Sequence, residues 1–75
     1  MNVAKVINGV ILEHGVGTDN DIVYSEQDGM SIVPLPDWAL ALRMENMSTG
    51  SARQILKWNY DTRQFKTLDL GSFVA

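Results

Sequence analysis

The run Val3-Ala4-Lys5-Val6-Ile7-Asn8-Gly9-Val10-Ile11-Leu12-Glu13-His14 decides the fold. Asn-Gly supplies the positive φ that a two-residue type I′ turn needs at both central positions, and the twist of that turn matches the right-handed twist of the strands it joins. A turn at Asn8-Gly9 sets Ile7 opposite Val10, Val6 opposite Ile11 and Lys5 opposite Leu12. One face of this hairpin then shows Val3, Ile7, Val10 and Leu12, and the other Ala4, Val6 and Ile11. A hairpin with one face in water alternates apolar and polar residues. This one is apolar on both sides, so either it is sandwiched inside the domain, which is hard in a chain this short, or one face meets another molecule.

A second signal of the same kind follows. Ile22 to Gln27 and Met30 to Leu35 flank Asp28-Gly29, a turn that would pair Gln27 with Met30, Tyr24 with Val33 and Ile22 with Leu35. Pro34 and Pro36 bracket Leu35, and proline cannot donate to a ladder, so this strand lies at an edge or stops there. Between the hairpins, residues 15–21 carry glycine, Asp and Asn, the chemistry of turns. Asp19, Asn20 and Asp21 lack the alternating oxygens and closing bidentate Glu of a calcium loop.

Two segments read less simply. Trp38, Leu40, Leu42 and Met44 alternate with Ala39, Ala41, Arg43 and Glu45, which suits a strand. Leu40, Met44 and Met47 also fit a helical stripe, and alanine, leucine and methionine favour helix. The period of two makes strand the preferred reading. Further on, Asp61-Thr62-Arg63-Gln64 is a good turn sequence between Ile55–Tyr60 and Phe65–Leu70. It places Tyr60 opposite Phe65 and Trp58 opposite Thr67, with Leu56 on the same face. A helix over residues 51–60 behind a Ser51 cap is the competing assignment. The expected fold is therefore one domain over residues 1–75, all-β or α+β, a small antiparallel barrel or sandwich of five to six short strands built from hairpins.

Composition narrows the function classes. A chain of 75 residues buries only about 60% of the surface it exposes when unfolded, and such folds gain support from disulfides, metals or association. No cysteine is present and His14 is the only histidine, which leaves association; no cofactor or metal is expected. No apolar run reaches the ~20 residues of a membrane span, and Asn8-Gly9 interrupts what would be the apolar core of a signal peptide. The expected setting is cytoplasmic or virion-associated. No nucleophile elbow, phosphate loop, dinucleotide fingerprint or zinc spacing occurs, so catalysis is not expected.

Charge is unevenly placed. Residues 1–50 hold two basic residues against seven acidic ones, net −5, whereas residues 51–67 hold Arg53, Lys57, Arg63 and Lys66 against Asp61, net +3. Opposite charge along one chain suits a contact between copies or a basic face for an anionic partner. Arg53, Lys57, Arg63 and Lys66 are the candidate nucleic-acid or anion contacts, with Trp58, Tyr60 or Phe65 for base stacking. The pI of about 4.7 opposes that reading, as does the expected register, which puts Lys57 and Lys66 on the face away from the aromatics.

The favoured expectation is a non-enzymatic protein-binding or self-assembling module, a homo-oligomer or a component of a larger complex. Candidate interface residues are Val6, Ile11, Trp38, Met44, Trp58, Arg63 and Phe73. Phe73 lies in the apolar tail Gly71 to Ala75, which is expected to dock. The alternative is a small inhibitor presenting Glu13, Asp19, Asp21, Glu26 and Asp28 to a basic cleft. No stretch matches the motif of a particular family. In general character (tiny, cysteine-free, acidic, β-rich, without a catalytic set) the chain looks like small accessory proteins of bacteriophages and mobile elements, some of which decorate capsids and some of which block host enzymes.

Overall fold

The computed structural model describes residues 1–26, 29–50 and 53–69. The first hairpin forms as its sequence dictates. Strands β1 (Asn2–Ile7) and β2 (Val10–Val16) are joined by Asn8 and Gly9, at φ of 54° and 77°. Ile7 faces Val10 and Val6 faces Ile11, but Lys5 then faces Glu13 rather than Leu12. Leu12 is the extra residue of a β-bulge, a common device on edge strands. Its effect is chemical. Continuing the simple register would set Glu13 beside Ala4, which is fully buried; the bulge turns Glu13 outward to Lys5 and His14 inward, opposite Ala4.

Strand β3 (Ser31–Pro34) joins the other edge of β1, completing a three-stranded antiparallel sheet in the order β2-β1-β3. The expected hairpin over residues 22–35 is corrected here. Val33 faces Ala4 of β1, and the segment before the turn contributes a single bridge, Val23 to Ile32, in place of the pairs Tyr24–Val33 and Ile22–Leu35. Gln27 and Asp28 lie outside the described residues. Pairing β3 with β1 buries Val33 completely, which a detached hairpin cannot do, and frees Tyr24 to stack on Trp58. Pro34 is the last strand residue, and its missing N–H costs the β1 ladder nothing, because the next bond to β1 runs from the Leu35 N–H to the Asn2 carbonyl at 2.9 Å; proline is tolerated here because β3 is an edge strand.

The preferred strand at residues 37–47 is also corrected: Asp37–Thr49 is helix α1. No β-branched residue occurs before Thr49, and Ala, Leu, Arg, Met and Glu hold the helical conformation well. Pro36, extended at the N-cap, opens the helix, and its carbonyl accepts the first helical bond from Leu40. Gly50, at φ 67°, closes it with its N–H on the Asn46 carbonyl. The alternation of large and small apolar residues is a coincidence of composition.

Strands β4 (Gln54–Asn59) and β5 (Gln64–Asp69) form a separate two-stranded ribbon, so the hairpin reading holds over residues 54–69 and the competing helix does not form over residues 53–60; Leu70 lies outside the described residues. The loop sits one residue earlier than expected, pairing Trp58 with Phe65 and Asn59 with Gln64. Asn59 explains the shift, because its Oδ1 accepts the backbone N–H groups of Asp61 and Thr62 at 2.9 and 3.1 Å. The faces of the ribbon are unchanged: Leu56, Trp58 and Phe65 point inward together. Among the described residues, five strands and one α-helix make a small β-rich fold of two antiparallel sheets, with no closed barrel.

The core consists of Ala4, Val6, Ile11, Val33, Leu35, Ala39, Leu56, Trp58 and Phe65, with Leu40, Leu42 and Tyr60 packed against it. Polar bonds lock the layers. The Trp58 N–H donates to the Gly9 carbonyl at 2.8 Å. The Tyr60 hydroxyl accepts from the Gly9 N–H at 3.0 Å and donates to the Gly29 carbonyl at 3.2 Å. Tyr60→Phe removes both hydroxyl bonds and leaves the part-buried Gly9 N–H without its acceptor. Urea unfolding of that variant is expected to show a loss of about 1–3 kcal/mol.

Candidate interaction surfaces

The three-stranded sheet has one covered face and one open face. On the covered face Ala4, Val6 and Val33 are fully buried beneath α1 and the ribbon. On the open face Val3, Ile7, Ile32 and Pro34 are half-buried by their neighbours, and Val10, Val23 and Met30 are between 44% and 53% exposed. Lys5 and Glu13, opposed across β1 and β2 with 3.9 Å between charged atoms, are the charged pair in this apolar field. Val3, Lys5, Glu13, Gly15, Met30 and Ile32 line a shallow recess of about 280 Å³.

At the opposite side of the core an aromatic corner reaches the surface. Trp58 stacks on Tyr24 with ring centroids 6.2 Å apart and meets Phe65 edge-on at 4.8 Å. Arg63 lies over the Tyr24 ring at 4.3 Å. A cleft of about 350 Å³ opens here between Pro34, Pro36, Trp38, Trp58, Arg63, Gln64 and Phe65. Trp38, on the first turn of α1, is 50% exposed along one wall. Arg63 occupies the last loop position at φ 55°, a left-handed conformation that costs a side-chain-bearing residue about 1–2 kcal/mol and that Gly or Asn normally fills. An arginine held there by an aromatic ring is the kind of outlier that collects at binding sites.

The ribbon's basic residues do not form a single track. Lys57 and Lys66 face each other directly on the side away from Trp58 and Phe65, as the alternation of strand faces requires. The Lys57 ammonium reaches the Asn8 carbonyl at 3.3 Å. Arg53 lies at the far end of the ribbon, on a recess shared with Glu45 and Asp69, and Arg63 sits on the aromatic side. Stacking and phosphate contacts would thus come from different faces.

Comparison with protein-family models, with curated proteins and with solved structures gives no match to this chain.

The expected interface set divides sharply. Val6, Ile11 and Trp58 are core residues, at most 7% exposed: Val6 and Ile11 lie on the hairpin face that the domain covers itself, and Trp58 on the inner face of β4. Trp38, Met44 and Arg63 reach the surface, Met44 on the uncovered flank of α1. Phe73 lies outside the described residues. Val3, Ile7 and Ile32 lie on the open face and are absent from the expected interface set, although a local signal marks that face as outward: the charge of Lys5 alternates with Val3 and Ile7. Tyr24, Pro34 and Pro36 carry no sequence signal for the cleft, because three separate segments create it.

Other polar groups have structural partners. Asp21 accepts the Thr18 N–H at 2.8 Å and closes the short helical turn Asp19–Asp21. The Arg43 Nε donates to His14 Nδ1 at 2.8 Å, which fixes His14 as the tautomer protonated at Nε2. Among the described residues no cluster of three metal-ligating side chains occurs, and no helix is long and apolar enough to cross a membrane.

Like charges directly opposed across a ladder are destabilising. Lys66→Glu converts the Lys57–Lys66 opposition into an attractive pair and is expected to raise stability by about 0.2–1 kcal/mol. The shift of the urea midpoint at low salt reads this gain, which should shrink in high salt as the charges are screened.

Proposed function

We propose that this chain is a non-enzymatic protein-binding module that associates with a second copy of itself through the open face of its three-stranded sheet. One observation carries the reading: a sheet whose inner face is fully packed presents a second apolar face, around Val3, Ile7, Val10 and Ile32, to solvent. Contiguous exposed apolar surface marks interaction sites. The charge pattern suits a like partner. Lys5 and Glu13 lie side by side on this face, so a two-fold axis between them brings each onto its opposite in the other copy, the self-complementarity that an isologous contact needs.

Size sets the expected strength. Three strands at about 4.8 Å spacing and six residues at about 3.3 Å rise give a footprint of roughly 15 by 20 Å. That is small beside the ~800 Å² per partner of a standard interface, so the contact belongs at the low-affinity end and would gain from repetition in a larger assembly. A structural subunit of such an assembly, of the kind that bacteriophage accessory proteins provide, is the role this reading favours. The acidic-inhibitor reading has less support, since Asp21 is engaged in its own turn and Glu13 faces Lys5.

Light scattering after size exclusion, from about 10 μM to 1 mM, is expected to show mass rising toward a dimer with concentration. Ile32→Lys should hold the protein monomeric over that range while leaving its thermal unfolding nearly unchanged, as is usual for surface substitutions. A wild-type monomer at every concentration overturns the self-association reading.

A further inference from the structure

We propose that the cleft between Trp38 and Arg63 is a second and separate contact site, which takes an acidic peptide segment of a partner protein. In it a carboxylate pairs with Arg63, and an adjoining proline or aliphatic side chain lies against Trp38. The inference is independent of self-association, since the cleft opens on the aromatic corner and shares only Pro34 with the open sheet face.

Three features of the cleft point the same way. First, among the described residues the Arg63 guanidinium has no hydrogen-bond or ion-pair partner; its contact is the Tyr24 ring beneath it, at 4.3 Å. Stacking on an aromatic face orients the planar fork and leaves its N–H groups pointing outward, the arrangement that binds a carboxylate through two parallel bonds. Second, the walls are aromatic and imino rings, Trp38, Trp58, Phe65, Pro34 and Pro36, rigid surfaces that order few rotamers when an apolar side chain settles between them. Third, Arg63 is the charged residue of the lining, so no acidic side chain there competes for it. Tryptophan and arginine are also among the residues most often found to dominate binding energy, and here both line one cleft, with Tyr24 stacked behind the arginine.

Charge placement selects peptide over nucleic acid. A phosphate backbone is held by several cations along a track, whereas Lys57 and Lys66 lie on the opposite face of the ribbon and the whole chain carries −3. One guanidinium beside an apolar slot matches one carboxylate beside an apolar residue. The Arg63 backbone deepens the point, because Gly or Asn would sit at φ 55° with less strain but would leave the cleft without its cation.

The test uses the full chain and two blocked peptides, acetyl-Leu-Pro-Asp-Leu-amide and its Asn counterpart, followed by the indole N–H signals of Trp38 and Trp58 in NMR titrations. The aspartyl peptide is expected to shift the Trp38 signal in a saturable way, with the asparaginyl peptide at least about tenfold weaker, as the loss of a charge-assisted pair implies. Arg63→Gln should remove the difference between the two peptides. Trp38→Ala, at a half-exposed position that leaves the fold intact, should weaken both. Ile32→Lys should change neither affinity, which keeps this site distinct from the sheet face. Equal affinity for the two peptides, or no Trp38 shift at millimolar peptide, overturns the proposal. Tighter binding of an eight-nucleotide thymidine strand than of the aspartyl peptide, lost in Arg63→Gln, overturns it in favour of nucleic acid.

Discussion

The seating of the Asn8-Gly9 turn against β4 is the constraint on which the rest of the structure depends. The Trp58 N–H is bonded to the Gly9 carbonyl, and the Tyr60 hydroxyl bridges the Gly9 N–H and the Gly29 carbonyl. These bonds join the tip of the first hairpin to the ribbon that closes the core. The approach is possible because residue 9 is glycine. A Cβ there would stand 3.2 Å from the Trp58 carbonyl oxygen, on a backbone at φ 77°. One residue therefore serves two purposes, supplying the turn's left-handed conformation and giving a second sheet room to approach.

That junction also decides which apolar surfaces are spent and which remain. With the ribbon fixed over Ala4, Val6 and Ile11, the core residues close on one another around Trp58 and Phe65, and among the described residues no element packs over the other side of β1 and β3. The Leu12 bulge reinforces the division. It moves Glu13 to the open face, beside Lys5, and His14 to the covered side, where Arg43 holds it. A single inserted residue thus keeps a carboxylate out of the core and sets it beside Lys5 on the open face.

The aromatic corner follows from the same geometry. Trp58 points inward because its strand is anchored at Gly9, and Tyr24, released from the hairpin that its sequence suggests, stacks on it. The loop that brings Arg63 onto Tyr24 is set by the Asn59 side chain one residue earlier than simple turn counting expects. Trp58 and Asn59 in β4 and Tyr24 in the segment before β3 are local choices, yet a cation beside an apolar cleft is their joint result. Exposure of Trp38 at the start of α1 completes it, because helix propensity places that residue on the helix flank away from Ala39, the helix's buried position.

By itself the sequence determined the Asn8-Gly9 turn with its first two residue pairs, the inward set Leu56, Trp58 and Phe65, and the edge position of the strand that carries Pro34. Each depends on interactions between near neighbours: the φ preferences of Gly and Asn, the alternation of strand faces, and the missing N–H of proline. The rest depended on contacts between distant segments. Ala4, Val6 and Ile11 form as apolar a hairpin face as Val3, Ile7 and Val10, so only the packing of α1 and the ribbon decided which was core, with the charge of Lys5 the one local hint. Residues 37–49 satisfied both periods, and propensity carried them to helix. Pairing of β3 with β1, and the meeting of Trp38 with Arg63, were decided by tertiary structure alone, because burial rewards whichever partner covers Val33 and Trp58, wherever in the chain that partner stands.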